Sequence, residues 1–200
     1  MADHALRLRP GTLVVLEGLD RTGKSTQMSA LRSQRWADPV PAFAHMPSGM
    51  SALTQAVYEL IEGKSIASPL ARQLLHLACH AENLGLLRQA RRERAVVLDR
   101  WWWSTVAYGW HAGHLDQHGV DKTLFRELIG TVWAGQEADV VFLFTEPHES
   151  DDHNRAEVSA AYKALAEQHH SLAVHVPKAS PAATTALLLD TMRERAILES

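Results

Sequence analysis

A short glycine-containing segment constrains the fold of this chain more than any other part of the sequence. Residues 18–25 read Gly-Leu-Asp-Arg-Thr-Gly-Lys-Ser. A β-branched apolar run at residues 12–16 precedes the segment, and a helical pattern at residues 24–34 follows it. A glycine-rich turn between a buried strand and a helix is typical of a P-loop, in which backbone N–H groups and the positive end of the helix bind phosphate. The sequence therefore predicts binding of a nucleoside triphosphate.

The positions of this loop have different expected roles. Lys24 is expected to reach the β- and γ-phosphates, and Ser25 to coordinate Mg²⁺. Arg21 has two open interpretations: a catalytic arginine that neutralises the transferred phosphoryl group, or a solvated loop residue. We assign the following residues to the triphosphate: Gly18, Asp20, Thr22, Gly23, Lys24, Ser25 and Thr26.

A second candidate segment follows another apolar run, at residues 95–98. Asp99 ends that run and Arg100 follows it directly. A carboxylate at the end of a strand beside a P-loop commonly helps to hold Mg²⁺, and ligands bind at this edge of an α/β sheet. The planar guanidinium of Arg100 suits an acceptor phosphate. A structural ion pair at the end of the strand is the alternative.

Apolar runs alternate with helical patterns along the chain, which indicates an α/β fold with a parallel sheet covered by helices on both faces. Further strands are expected at residues 42–44, 139–144 and 171–176, and a closing helix at residues 181–198. We interpret residues 1–200 as a single P-loop kinase domain. The polar segment at about residues 146–157 is expected to be a short lid.

Composition excludes several classes of function. The net charge is −3, so general attraction to nucleic acid or to a membrane is not expected, and no apolar run is long enough to span a bilayer. Cys79 is the only cysteine, which precludes an internal disulfide and fits a cytoplasmic location.

The two motifs together resemble those of the thymidylate kinase family. The similar segments are residues 16–27 (Leu-Glu-Gly-Leu-Asp-Arg-Thr-Gly-Lys-Ser-Thr-Gln) and Asp99-Arg100-Trp101 with Ser104, Ala107 and Tyr108 downstream. The resemblance implies a three-layer P-loop fold with a five-stranded parallel sheet, ATP and Mg²⁺ as cosubstrates, and a homodimer. It also implies that Asp20 lies near the acceptor sugar, with Tyr108 at the sugar edge. Members of the family with a basic residue in the P-loop tend to lack catalytic arginines in the lid. In this chain Arg21 is a basic residue of the P-loop, and the lid holds only one arginine, Arg155. The resemblance therefore favours a catalytic role for Arg21.

The sequence departs from the family pattern where the acceptor is expected to bind. The family has an arginine after the second strand, where this chain has His45. It has a phenylalanine and an arginine on the base-binding helix, where this chain has His76 and His80. Histidine titrates near pH 6.5, so acceptor binding is expected to weaken as the pH rises from about 6 to 8. We assign the following residues to the acceptor: Asp20, His45, His76, His80, Arg100, Trp101, Thr105 and Tyr108.

The sequence therefore predicts a kinase that phosphorylates dTMP, or a related or modified pyrimidine nucleoside 5′-monophosphate. In this prediction Lys24, Arg21, Asp99 and Arg100 are catalytic, and Ser25 and Asp99 bind the metal. A kinase of a specialised small-molecule acceptor is one alternative. A nucleotide-binding protein with little kinase activity is another.

Overall fold

The computed structural model describes residues 5–63 and 66–199, which form alternating strands and helices. The strands are β1 (Arg7–Leu8), β2 (Leu13–Gly18), β3 (Ala42–His45), β4 (Val96–Asp99), β5 (Val140–Phe144), β6 (Ala173–Val176) and β7 (Leu198–Glu199). The helices are α1 (Lys24–Arg32), α2 (Ala52–Gly63), α3 (Pro69–Glu93), α4 (Trp102–Ser104), a π-helix (Thr105–Ala112), a 3₁₀ helix (Leu115–His118), α5 (Lys122–Val132), α6 (Ala156–Gln168) and α7 (Pro181–Glu194).

Five of these strands form one parallel sheet in the order β3-β4-β2-β5-β6. Successive side chains of a strand point to opposite faces, so the sheet divides the core into two halves. Leu13 and Val15 of β2 pack with α3, α5, α6 and the π-helix. Val14 and Leu16 pack with α1 and α7 on the other face. The predicted α/β fold, with a five-stranded parallel sheet between two helical layers, is confirmed.

The register of the sheet brings the two sequence motifs together. Leu16 of β2 pairs with Asp99 of β4, and Asp99 pairs with His45 of β3 on its other side. Because the three strands are parallel, their carboxyl ends meet at one edge of the sheet. The P-loop leaves β2 at this edge, so Asp99, Arg100 and His45 are placed beside it.

The prediction of a closing helix through residue 198 was wrong. α7 ends at Glu194, and the chain turns at Ala196, whose φ of 54° is left-handed. Leu198 then pairs with Leu8 in a two-stranded antiparallel ribbon of β1 and β7. Both leucines are buried in the core half that contains α7. Burial of the last apolar side chains outweighs the helical propensity of residues 195–198, a tertiary effect that local pattern does not reveal.

The segment after β4 is not one regular α-helix. It consists of the short helix α4 and then the π-helix, whose wider turn packs against α3. A Cβ atom built at Gly109 would lie 1.9 Å from Oε1 of Gln73, so any side chain at this position would displace the Gln73 carboxamide.

Among the residues that the structure describes, no helix is both long enough and apolar enough to cross a membrane.

Candidate active site at the ends of β2 and β4

The backbone of the P-loop needs glycine at both ends. Gly18 has a φ of 129°, and a Cβ atom there would lie 1.9 Å from the carbonyl oxygen of Phe144 on β5. Gly23, just before α1, has a φ of 94°. Residues with a side chain rarely adopt such conformations. The loop can therefore curve tightly between β2 and α1.

Lys24 is folded back onto this loop and is only 5% exposed. Its Nζ atom donates a hydrogen bond to the carbonyl oxygen of Gly18 at 3.1 Å and another to that of Leu19. Burial lowers the pKa of Lys24 to about 8, and the charge of Arg100 adds to this effect, whereas Asp99 opposes it. The ammonium group thus lies in a site that an anionic phosphate would stabilise.

A cavity of about 490 Å³ opens above the loop. Its lining comes from the P-loop, the ends of β3 and β4, helix α2 and the segment after β5. The lining residues are Asp20, Arg21, Thr22, Gly23, Lys24, Ser25, Thr26, His45, Tyr58, Asp99, Arg100, His148 and Glu149. A second cavity of about 320 Å³ shares Thr22, Gly23, Thr26 and His148 with it and extends towards α7. Two adjoining spaces on either side of one phosphate loop suit two substrates.

Asp99 has the environment of a metal ligand. Its side chain is buried, and Oδ1 has no hydrogen-bond partner among the described residues. Ser25 lines the same cavity. Carboxylate and hydroxyl oxygens are hard ligands of the kind that Mg²⁺ prefers. These two residues therefore fit the metal site expected from the sequence.

A buried carboxylate that sequence reasoning missed organises the loop after β4. Glu17 accepts hydrogen bonds from the backbone N–H groups of Trp101 at 2.7 Å and Ser104 at 3.0 Å. The hydroxyl groups of Ser104 and Tyr162 also donate to it, at 2.7 and 2.9 Å. Burial raises the pKa of Glu17, whereas the hydrogen bond from Ser104 and the charge of Arg100 act against the rise. An acidic residue within an otherwise apolar strand was the available signal, because a buried charge needs partners.

Arg100 is held in place on several sides. Its φ of 72° is left-handed. Its guanidinium donates to the carboxylate of Asp20, and to the hydroxyl of Ser104 at 3.1 Å. It also lies 5.2 Å from the centre of the Tyr108 ring, a cation–π distance. The structure thus brings together Asp20, Arg100 and Tyr108, three of the residues assigned to the acceptor.

The segment between β5 and α6, which contains the predicted lid, lies on the P-loop. The backbone N–H of His148 donates to the carbonyl oxygen of Arg21 at 2.8 Å. The guanidinium of Arg21 contacts Glu149 at 2.8 Å and Asp151 at 2.9 Å. Asn154 exchanges two hydrogen bonds of 2.8 Å with the backbone of Asp20. Arg21 therefore faces carboxylates in the free protein and would have to exchange them for phosphate.

Arg155, the other arginine of this region, points elsewhere. Its Nη1 atom donates to the carbonyl oxygen of Ala112 at the end of the π-helix, at 3.4 Å, and Arg155 does not line the cavity above the loop.

The three histidines assigned to the acceptor occupy different environments. His45 lines the cavity, and its Nδ1 atom is 2.8 Å from the hydroxyl of Ser48. His80 is buried, with Nε2 3.2 Å from the hydroxyl of Thr105. Burial lowers the pKa of His45, lowers that of His76 to about 4 and lowers that of His80 to about 3. The expectation that they titrate near pH 6.5 is therefore wrong for the free protein, because burial disfavours the charged imidazole.

Five of the predicted acceptor residues are not part of the cavity lining: His76, His80, Trp101, Thr105 and Tyr108. His80 and Thr105 belong to the contact between α3 and the π-helix, and Trp101 is buried with its ring 6.1 Å from that of Trp133. The ring of His76 instead packs against that of Tyr58 on α2. Tyr58 of α2, in contrast, lines the cavity although no sequence motif predicted a role for it.

The fold and this site define a P-loop nucleotide-binding protein with space for two substrates. A family model described as thymidylate kinase matches residues 16–179. The chain therefore belongs to the thymidylate kinase family, whose members are ATP-dependent nucleoside monophosphate kinases.

Individual relatives agree with this assignment. The thymidylate kinase of Thermosynechococcus vestitus is 30% identical over 152 residues, which cover 68% of this chain and 61% of that protein. The match thus spans less than two thirds of that relative. The thymidylate kinase of Parasynechococcus marenigrum is 28% identical over 210 residues, covering 91% of this chain and 97% of that protein.

Two solved structures share the fold. Thymidylate kinase from Ehrlichia chaffeensis superimposes with a TM-score of 0.76 at 18% identity, over 92% of this chain and 100% of that chain. The enzyme from Candida albicans gives a TM-score of 0.67 at 20% identity, over 98% and 97% of the two chains.

Proposed function

We propose that this chain transfers the γ-phosphoryl group of ATP to dTMP, or to a closely related or modified pyrimidine nucleoside 5′-monophosphate. The observation that carries the proposal is one continuous cavity lined by the P-loop on a chain of the thymidylate kinase family, with Asp99 and Arg100 on the same lining. The phosphates of a triphosphate on Lys24 and of a monophosphate on Arg100 would then lie in the same open cavity.

The proposed reaction is a single displacement. An oxygen of the acceptor phosphate attacks the γ-phosphorus, the bond to the β-phosphate oxygen breaks, and ADP leaves. Lys24 neutralises charge on the β- and γ-phosphates, Arg21 neutralises charge on the transferred group, and Arg100 orients the acceptor. Ser25 and Asp99 would hold Mg²⁺, which supplies further neutralisation of the phosphate charge.

The remaining assigned residues have positioning roles in this proposal. Gly18, Thr22, Gly23 and Thr26 shape the triphosphate site, and Asp20 with Tyr108 borders the acceptor sugar. The contact of His80 with Thr105, together with His76 and Trp101, forms the proposed base side of the acceptor site.

The test is an assay of ADP and dTDP formation from ATP, Mg²⁺ and dTMP. We expect Lys24→Ala to reduce turnover by at least about 10³-fold while the protein stays folded, because Lys24 has no substitute on the phosphates. Lys163→Ala, which removes an exposed lysine of α6, is the control and should leave turnover unchanged. Wild-type activity in Lys24→Ala would contradict the proposal.

A specialised acceptor is the second candidate, because His76 and His80 replace the family's phenylalanine and arginine and burial keeps both uncharged. A panel of nucleoside monophosphates assayed with ATP separates the two candidates. Tight ATP binding without turnover of any acceptor would instead favour a nucleotide-binding protein.

The proposed assembly is a homodimer, and the proposed compartment is the cytoplasm, where ATP is abundant and the free thiol of Cys79 stays reduced. We further propose that the chain is one domain, in which the short segment at about residues 146–157 closes over the P-loop as a lid.

A further inference from the structure

The cavity above the P-loop carries an acceptor-site residue to which neither the sequence pattern nor the family comparison assigns a role. Tyr58 is a residue of α2 on a lining otherwise formed by loops, strand ends and the first turn of α1. We propose that Tyr58 binds the acceptor by donating a hydrogen bond from its hydroxyl group to the acceptor phosphate. The inference rests on the proposed function, in which the acceptor is a nucleoside monophosphate.

The ring of Tyr58 is held between two histidines. Its centre lies 5.6 Å from that of His45 and 6.2 Å from that of His76, both in edge-to-face arrangements. His45 ends β3 and His76 belongs to α3, so the ring is fixed by two elements besides its own. Edge-to-face contacts of this kind position an aromatic ring without using its polar atom.

The hydroxyl group of Tyr58 is left free for a ligand. No described residue forms a hydrogen bond with it, although Tyr58 and Arg100 line the same cavity. Burial raises the pKa of Tyr58, so the phenol keeps its proton at neutral pH and is a donor. A phenol O–H forms a strong hydrogen bond with an ionised acceptor such as phosphate.

The charge of the cavity explains why a phosphate is the expected partner. The acceptor site lacks the arginine that the family carries after the second strand; His45 stands at that place, and its Nδ1 atom lies 2.8 Å from the hydroxyl of Ser48. Arg100 is the cation next to it, and Asp20 and Asp99 lie nearby with opposite charge. A neutral donor such as Tyr58 can bind a phosphate dianion here without burying a second cation. The loss of one arginine is thus offset by a phenol from a different element.

The test compares Tyr58→Phe with wild-type protein. This change removes one oxygen atom and keeps the ring between the two histidines. We expect the KM for dTMP to rise about tenfold or more, because a hydrogen bond to a charged group is lost. The KM for ATP and the kcat should stay within about threefold of the wild-type values, since the phenol does not touch the transferred group.

Binding of thymidine, which has the same base and sugar but no phosphate, identifies the atom that Tyr58 contacts. The dissociation constant of thymidine should be the same for wild-type protein and Tyr58→Phe, whereas that of dTMP should rise in the variant. Gln55→Ala, at an exposed position of α2, is the matched control and should change neither constant. Thermal melting verifies that both variants remain folded.

Two results would overturn the inference. One is an unchanged KM for dTMP in Tyr58→Phe; the other is an equal weakening of thymidine and dTMP, which would place the hydroxyl on the base or sugar. A wild-type protein that turns over neither dTMP nor any other pyrimidine nucleoside 5′-monophosphate contradicts the proposed function, and the inference fails with it. If the wild-type protein phosphorylates dTMP and Tyr58→Phe has the same KM for dTMP, the inference fails while the proposed function stands.

Discussion

Lys24 shows how the environment of a single residue links the phosphate site to stability. A free lysine titrates near pH 10.5, whereas burial lowers the pKa of Lys24 to about 8. Between these two pH values the unfolded chain binds more protons than the folded one. The free energy of unfolding therefore rises with pH over this range, since the folded state no longer carries the buried charge.

We expect this contribution to raise the free energy of unfolding by about 1.4 kcal/mol between pH 7 and pH 9 in the absence of nucleotide. Lys24→Met keeps most of the side-chain volume but cannot titrate, so its stability should lack this rise. Urea unfolding of both proteins at the two pH values measures the difference. An identical pH dependence in the two proteins would show that Lys24 has an ordinary pKa.

At the residue scale, sequence reasoning located groups with a fixed spacing and missed groups that depend on the fold. The P-loop residues and Asp99 could be identified because each stands next to an apolar run that predicts a strand. Glu17 and Tyr58 could not be assigned a role in this way. The partners of Glu17 are in the loop after β4 and on α6, and Tyr58 reaches the cavity only because α2 packs beside β3 and α3.

At the scale of elements, the central relation is between the P-loop and the segment that covers it. Arg21 belongs to the loop, and its guanidinium is bound to Glu149 and Asp151 of the covering segment. The side chain of Arg21 is 54% exposed, and ion pairs at such positions contribute little stability. A triphosphate can therefore compete for the guanidinium at a small energetic cost.

We expect Arg21→Ala to lower kcat by at least about 10²-fold with a much smaller effect on the KM for ATP, because the contact strengthens in the transition state. Arg155→Ala is the matched variant in the lid, and its effect on kcat should be far smaller, since Arg155 binds the end of the π-helix. Steady-state kinetics at saturating Mg²⁺ separate the two. A large loss in Arg155→Ala with a mild one in Arg21→Ala would assign the catalytic cation to the lid.

The boundaries of the elements were predictable where an apolar run or a proline marks them. α3 begins at Pro69, a residue favoured in the first turn of a helix, directly after the capping residue Ser68. Two features were not predictable because contacts with distant segments set them. The chain beyond α7 pairs with β1, and the π-helix packs against Gln73 of α3. Hydrophobic periodicity reports which face is buried and not what packs against it.

At the scale of the whole molecule, exposed leucines indicate where a second copy would bind. Leu53 and Leu60 lie seven residues apart on one face of α2 and are 60% and 46% exposed. Leu74 of α3, which packs beside α2, is also exposed. Large apolar side chains on adjoining helices favour association, since their burial removes apolar surface from water.

We therefore expect sedimentation at micromolar concentration to give twice the monomer mass of 22.2 kDa. The double variant Leu53→Glu, Leu60→Glu should sediment as a monomer, because charged side chains oppose burial in an interface. The control is Leu124→Glu, Leu128→Glu on α5, which alters two exposed leucines away from α2 and should remain dimeric. A monomeric wild-type protein would contradict the proposed dimer. A dimeric α2 variant together with a monomeric α5 control would contradict an interface on α2.

The ribbon of β1 and β7 has a consequence for engineering. Arg7 and Glu199 are cross-strand partners, so the two ends of the described chain leave the molecule side by side. The ribbon lies beside α7, while the substrate cavity opens at the carboxyl ends of β2 and β4. Residues 5–199 could accordingly be inserted into a surface loop of a host protein through two short linkers, and the substrate cavity would remain open to solvent. With a fluorescent host protein, a change in its emission could then report nucleotide binding to the inserted domain.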